Sequence, residues 1–541
     1  MGEISTGRRR WRWWMPATLL VLAVGTIVFL QTGSDLEGPF RNMYTVFITE
    51  GTVLLLLVWY VFFTGLRWRS KFIRLGVVVV VLVGLGFAFG RTVRMDGSIN
   101  GSGWPKLTWR WTPKPDAGVQ QLRVAPDAAV VDLASGSEHD FPQFLGPERS
   151  GLVRGVQLAR DWSVRVPREL WRQPVGVGWS SFAVVGSCAI TQEQRGDSEL
   201  TVCYDIDTGR PLWEHANPVR FSEGMGGDGP RATPTIDGGR VYVLGATGVL
   251  DCLDGATGKA IWSRDVLKEN DLPNLIWGKS SSPLVVDDLV VVSGGDVKKA
   301  TLLAYKKETG EPAWQAGADK ASYSSPLLAT LAGVRQILSV NAGSVTGHDP
   351  ADGHELWSFP WPGEFAKASQ PIVLDSDRVF ISAGYGLGCS LLQLEAGEAG
   401  RMQVRELWHS PHMKTQFTSA VLRDGFAYGL DDGILACVDL ATGERKWKGG
   451  RYGHGQVLLI NDVILVQAES GEIALVAADA AGHNELGRFR ALKSKTWNNP
   501  ALAGGKLLVR NDREAACYEL PLSDPALRVG SRETSPPNPA L

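Results

Sequence analysis

"CVDLATGERKW" (437–447) restates two earlier stretches of the same chain, "CYDIDTGRPLW" (203–213) and "CLDGATGKAIW" (252–262). The shared pattern, C-x-D-x-x-T-G-x-x-x-W, sets an acceptor carboxylate, a turn glycine and a large ring at fixed offsets. Asp254 can accept backbone N–H bonds in an Asx-type turn, and Gly258 supplies the positive φ that a tight reversal needs. Trp262 then falls on the outgoing strand, where its ring can pack against a neighbouring sheet. The motif reads as a hairpin inside one small sheet, and its recurrence as a row of such sheets.

Tryptophans in this register, or in a looser E-L-W one, stand at Trp171, Trp213, Trp262, Trp314, Trp357, Trp408 and Trp447, with turn glycines at Gly209, Gly258, Gly310, Gly353 and Gly443. An eighth copy, "ADAAGHNELGRF", stays in phase but carries Gly487 at the tryptophan position. In the second unit "ATPTID" and "RVYVLG" flank a Gly238-Gly239 turn, "GVLDCLD" forms a third strand and "KAIWSRDV" a fourth. Four-strand units at this period bury little alone and close into a ring, a β-propeller. The ring starts with an orphan fourth strand, "RELWRQPVG" around Trp171, and ends with three strands in "PALAGGKLLVRNDREAACYEL" (500–520). These halves complete one another, so the expected fold is all-β, an eight-bladed propeller closed by its two ends, which removes free sheet edges.

Cys203, Cys252, Cys437 and Cys517 recur at one register, as small buried hydrophobes in a strand would. No C-x-x-C spacing points to zinc, and no metal site is expected. His409 and His412 in "HSPH" form only a lone pair, and "DIDTG" fails the glycine and glutamate spacing of an EF-hand loop.

The first 90 residues differ. Apolar runs at 13–31, 45–66 and 72–90 are each long enough to cross a bilayer core, which needs roughly 20 residues. Arg8, Arg9, Arg10 and Arg12 precede the first run, and Arg67, Arg69, Lys71 and Arg74 fall in "RWRSKFIR", which joins the second run to the start of the third. Lysine and arginine counting therefore places residues 1–12 in the cytoplasm and everything after residue 90 outside, on an inner-membrane protein in contact with lipid. Glu50 interrupts the second run and is expected near the outer end of its helix. Residues 91–140 read as a loosely ordered spacer in which "LTWRW" (107–111) alternates like a strand, 141–520 as the propeller, and 521–541 as a disordered tail. A net charge of −2 with 21% charged residues supplies no basic field for nucleic acid.

The repeat resembles that of the pyrroloquinoline-quinone (PQQ)-type propellers, and "FPQFLGPERSG" (141–151) resembles the W-P-x-F-R-G-P-x-R-x-G lead-in of many bacterial members. The G-H and W-D signatures of WD40 repeats are missing. That family includes quinoprotein alcohol and glucose dehydrogenases and the non-catalytic propeller lipoprotein of the outer-membrane β-barrel assembly machinery. The dehydrogenase branch implies PQQ and Ca²⁺, held with an adjacent-cysteine disulfide in the alcohol enzymes. This chain has no Cys-Cys pair, and the loop "NPVRFSEGMGGDGPRA" (217–232), with Arg220, Glu223, Asp228 and Arg231, does not assemble six to eight oxygens for calcium. The expectation is a non-catalytic, cofactor-free scaffold for other envelope proteins. A quinone-linked dehydrogenase and a polysaccharide-binding propeller are the alternatives.

One position before each first strand gives Trp179, Arg231, Lys279, Tyr323, Lys367, Gln416, His454 and Trp497. Ringed around one mouth, they could bind an anion or a planar ligand, or simply face channel water.

Overall fold

A computed structural model describes residues 14–34, 36–119, 131–295, 300–363, 365–397 and 401–523. The arginines before the first apolar run and the tail beyond residue 523 lie outside them. The chain divides into two compact units: Met1–Pro113 with Gly224–Gly226, and Lys114–Glu223 with Gly227–Leu541.

The first unit holds three helices long and apolar enough to cross a membrane: α1 (Trp14–Thr32), α2 (Gly38–Phe63) and α3 (Trp68–Thr92). Helix α2 starts seven residues before its apolar run, because Pro39 fits a first helical turn, where its missing N–H costs nothing. The Gln31 amide donates to Thr45 Oγ1 at 3.0 Å, tying the end of α1 to the start of α2. The segment read as a spacer begins with a hairpin, in which Val93–Ser98 pairs antiparallel with Pro105–Trp109. The alternation in "LTWRW" thus marks one arm of that hairpin.

The second unit is the eight-bladed ring. Seven blades run in chain order, from Ala183–Val185 at the innermost strand of blade 1 to Glu485–Arg490 at the outermost strand of blade 7. Blade 8 takes three strands, Ala501–Ala503, Lys506–Arg510 and Glu514–Glu519, from the end of the chain. Its fourth, Arg168–Pro174, comes from the beginning, with Trp171 opposite Cys517. Apolar clusters fill every blade-to-blade gap. Ile190, Cys203 and Trp213 of blade 1 meet Val241, Val243 and Leu253 of blade 2, and one large cluster joins blades 7, 8 and 1 across the closure.

The repeat motif welds six of the eight blades to the next. The Trp213 indole N–H donates to Gly255 O at 2.9 Å, in the D-x-x-T-G turn of the following blade. Trp171, Trp262, Trp314, Trp408 and Trp447 reach Ile206 O, Lys307 O, Pro350 O, Leu440 O and Asp479 O in the same way. The turn itself is the Asx type expected: Thr257 N–H and Oγ1–H both bond Asp254 Oδ1, at 2.9 and 2.6 Å. Gly258 has φ +71°, and a Cβ there would stand 2.5 Å from the Trp213 ring. Glycine is therefore required twice over, by the turn and by the ring lying on it. Across the last strand pair five of the repeat indoles face a small residue, Cys203, Cys252, Ala304, Gly347 or Cys437 opposite Trp213, Trp262, Trp314, Trp357 or Trp447, whereas Trp408 faces Leu391. The six cysteines are buried free thiols, and burial pushes Cys252 up to about 11.

Two irregular copies have physical explanations. Blade 5 joins Gly388–Ala396 to Met402–Ser410 without a D-x-x-T-G turn, so the Trp357 indole bonds Gln336 Oε1 of its own blade at 2.5 Å. At Gly487 the missing tryptophan is supplied from elsewhere. A Cβ on Gly487 would lie 2.9 Å from Trp162 Cβ, and the buried Trp162 ring packs edge-on against Phe489 at 5.7 Å.

Trp162 belongs to a strap that crosses the ring before blade 8 begins. Phe141 bridges Val184 of blade 1, and Leu152–Val153 adds a fifth, parallel strand to blade 7 beside Leu459 and Ile460. Leu158 bridges Leu522.

Candidate functional site

Loops joining the fourth strand of one blade to the first of the next meet the loops between second and third strands, and together they line one mouth. Backbone bonds knit them: Trp179 N–H to Pro230 O, Lys279 N–H to Ala246 O, Tyr323 N–H to Lys367 O and Thr496 N–H to Glu469 O. These bonds tie the main chain at Trp179, Lys279, Tyr323 and Lys367 to neighbouring loops, and the side chains then diverge.

Trp179 and Trp497 come together, centroids 4.9 Å apart and planes tilted by 44°. Phe417 continues the row at 5.1 Å from Trp497 and 5.7 Å from His454. Lys495 Nζ lies 3.8 Å from the Trp497 ring centre, a cation–π contact. Glu469 anchors this ledge from behind, accepting from Trp497 Nε1 at 2.7 Å and from His454 N–H at 3.3 Å. Tyr323 pairs with Trp277 at 5.5 Å, and its phenol oxygen accepts the Trp277 N–H.

The bases turn inward. Lys279 is fully buried and donates to Ser293 O and Gly294 O at 2.7 and 2.8 Å; burial lowers it to about 7. Lys367, two blades later, likewise donates to chain carbonyls, Ala342 O and Gly363 O, and burial lowers it to about 8. Arg231 donates to Gly229 O and Gly227 O, with its guanidinium 4.5 Å from the Phe221 ring centre. Gln416 is buried over Gly384. In the three cations, chain carbonyls take the donors that a bound anion would need.

The axis carries a residue that sequence reasoning missed. Arg149, in the lead-in segment, is fully buried and donates to Ser282 O, Pro283 O, Pro326 O and Thr235 Oγ1, on the innermost segments of blades 2, 3 and 4. Its backbone is left-handed, at φ +52°, a strained state for a non-glycine residue that aims the side chain along the axis. Burial lowers the guanidinium to about 9. A lone arginine between proline, glycine and serine gives no periodic signal, which is why it was invisible.

The carboxylates near the mouth are dispersed. Asp228 is held by Lys114, Arg220 and Ser222 Oγ, and Asp431 by Lys414 and Lys448. Glu199 is buried against Thr247 of the next blade, with Oε1 lacking a hydrogen-bond partner among the described residues, and burial raises it to about 7. Calcium takes six to eight converging oxygens. Among the described residues no three His, Cys, Asp or Glu side chains converge. The acids present stand apart, Asp228 and Asp431 in separate ion pairs and Glu199 buried against Thr247, so this rim does not fit Ca²⁺ with PQQ. His409 bonds Ser390 Oγ at 3.0 Å.

Known proteins match this geometry. The family model for outer membrane protein assembly factor BamB matches residues 168–275 and 196–449. Outer membrane protein assembly factor BamB of Burkholderia pseudomallei is 23% identical over 361 residues, 63% of this chain and 85% of that protein. The Bordetella pertussis protein of the same name is 24% identical over 289 residues, 52% of this chain and 65% of its own length. In fold, the crystal structure of quinohemoprotein alcohol dehydrogenase from Comamonas testosteroni is similar with a TM-score of 0.54 at 12% identity, covering 77% of this chain and 83% of that one. The family match runs through the tryptophan-on-turn repeat that welds the blades, and the chain belongs to the BamB family of PQQ-repeat propellers.

Proposed function

We propose that this chain is a membrane-anchored scaffold whose propeller stands outside the cytoplasm and holds envelope proteins in place without chemistry of its own. Lysine and arginine placement around the apolar helices argues for that orientation. The observation that carries the reading is the state of the mouth: Arg231, Lys279 and Lys367 are spent on the ring's own carbonyls, while Trp179, Trp497 and Phe417 remain half-exposed. Tryptophan is among the residue types that dominate protein–protein binding energy. The curated relatives carry the name of an assembly factor, which supports a protein partner over a small substrate. A row of rings about 5 Å apart also suits sugar faces, and this favours glycan binding as the second reading.

One set of measurements separates these readings and the dehydrogenase. Full-length protein in detergent is incubated with PQQ and Ca²⁺, desalted, and scanned for quinone absorbance and for dye reduction with alcohols and sugars. The scaffold reading expects neither; a retained quinone band with turnover overturns it. The Trp179→Ala, Trp497→Ala double variant is expected to lose crosslinks to envelope proteins in cells while melting like the parent. Loss of retention on immobilised glycans, with protein crosslinks intact, would decide for the sugar reading.

A further inference from the structure

The second helix carries an unexplained carboxyl. Glu50 is the thirteenth of the 26 residues of α2, it is exposed, and among the described residues it makes no hydrogen bond or ion pair. A bilayer core takes roughly 20 helical residues, and every stretch of that length within Gly38–Phe63 contains Glu50. At 1.5 Å per residue its Cα then lies at least about 9 Å inside either edge of the core, wherever the helix is set. That is too deep for a glutamate side chain to reach the interface, so the position near the outer end that the apolar run to residue 66 suggested does not hold once α2 ends at Phe63.

Polar groups in hydrocarbon must find partners within protein. Among the described residues Glu50 has none. Helix α1 contains no charged residue, and the charges of α3, Arg69, Lys71, Arg74 and Arg91, sit at its two ends. The hydroxyls of Thr18, Thr26, Thr49 and Thr52 are already bonded to carbonyls one turn back in their own helices. Around Glu50 the surface of α2 is an exposed apolar stripe of Val46, Phe47, Val53, Leu54 and Leu57. A second copy would bring carboxyl against carboxyl. Charge complementarity asks instead for a cation.

We infer that the Glu50 face of α2 docks a transmembrane helix of a different protein, which presents a lysine, arginine or histidine at mid-bilayer depth. This rests on the membrane-anchored reading above and deepens it, because it places one contact of the scaffold inside the bilayer and states the partner's chemistry. Apolar neighbours supply the packing surface, and the buried pair fixes register and partner choice.

The test places p-benzoylphenylalanine at Leu54, on the Glu50 face, or at Leu55, which points about 140° away around the helix, in the full chain in its own membranes. Irradiation is expected to give one major adduct from position 54 and not from 55. Its crosslinked peptide should be an apolar run containing a basic residue. Glu50→Leu should reduce that adduct at least tenfold with expression and propeller melting unchanged, and Glu50→Asp should retain part of it. An adduct indifferent to Glu50→Leu, one to a second copy of this chain, or none but lipid overturns the inference. Alkaline carbonate extraction of the same membranes separates the two readings. A chain that washes out sinks the anchoring and this contact together, whereas one that stays, with a Glu50-independent adduct, sinks only this contact.

Discussion

At the scale of single residues, what the ring does with charge decides how it responds to its surroundings. Glu199 has its ordinary value near 4.5 in the unfolded chain and is raised to about 7 by burial in the fold. An acid raised on folding contributes stability that is fully present below the unfolded value and is lost as pH climbs through the folded one. The window is therefore about pH 4.5 to 7, and the loss across it is about 3 kcal/mol. Melting the parent and Glu199→Gln at pH 5.5 and at pH 8 should show the parent losing ground to the variant at the higher pH. Equal responses would mean that the Glu199 carboxyl is solvated. Arg149 stands at the opposite extreme, spending its donors on carbonyls and a hydroxyl of three blades at once.

At the scale of elements, the unit of stability is the tryptophan of one blade lying on the turn of the next. That unit explains why aspartate, threonine, glycine and tryptophan travel together, since each is one face of a single contact. It also explains the strap. Blade 7 lost its tryptophan at Gly487, and Trp162 fills the vacated volume from a segment outside the repeat. Trp162→Ala should cost about 3–5 kcal/mol, the range for emptying a buried tryptophan site. Chemical denaturation with an unchanged m-value would register it. Gly487→Trp alone should also destabilise, because the space is taken, whereas adding it to Trp162→Ala should recover part of the loss. If the two changes simply add, the rings do not share that site.

At the scale of the whole molecule, the ring depends on a strand that is hundreds of residues away from its partners. Arg168–Pro174 completes the sheet of Glu514–Glu519, and the cluster joining blades 7, 8 and 1 spans that seam. Deleting residues 160–176 from the full chain removes the fourth strand of blade 8 and Trp162 together. The propeller should then lose its single cooperative transition, followed by near-ultraviolet circular dichroism, with faster hydrogen exchange first in blades 7, 8 and 1. A deletion that melts like the parent would show that the seam is not needed for cooperativity.

The number of blades, their phase and the shared eighth sheet were readable from spacing alone, because a turn motif is local and its period is written in covalent order. The small residues opposite most of the tryptophans were half-readable as a recurring cysteine. The mouth was not. Lys279 and Lys367 stand at the positions that spacing chose, but where an ammonium points depends on which carbonyls of the adjoining loops come within reach. The same holds for Phe417, which joins Trp497 across a blade boundary, and for Arg149 and Trp162, which act where the strap happens to cross. Sequence by itself determined the ring, since repeats report their own period. Only tertiary structure decided the chemistry of its rim and axis, since those contacts join residues whose separation along the chain carries no pattern.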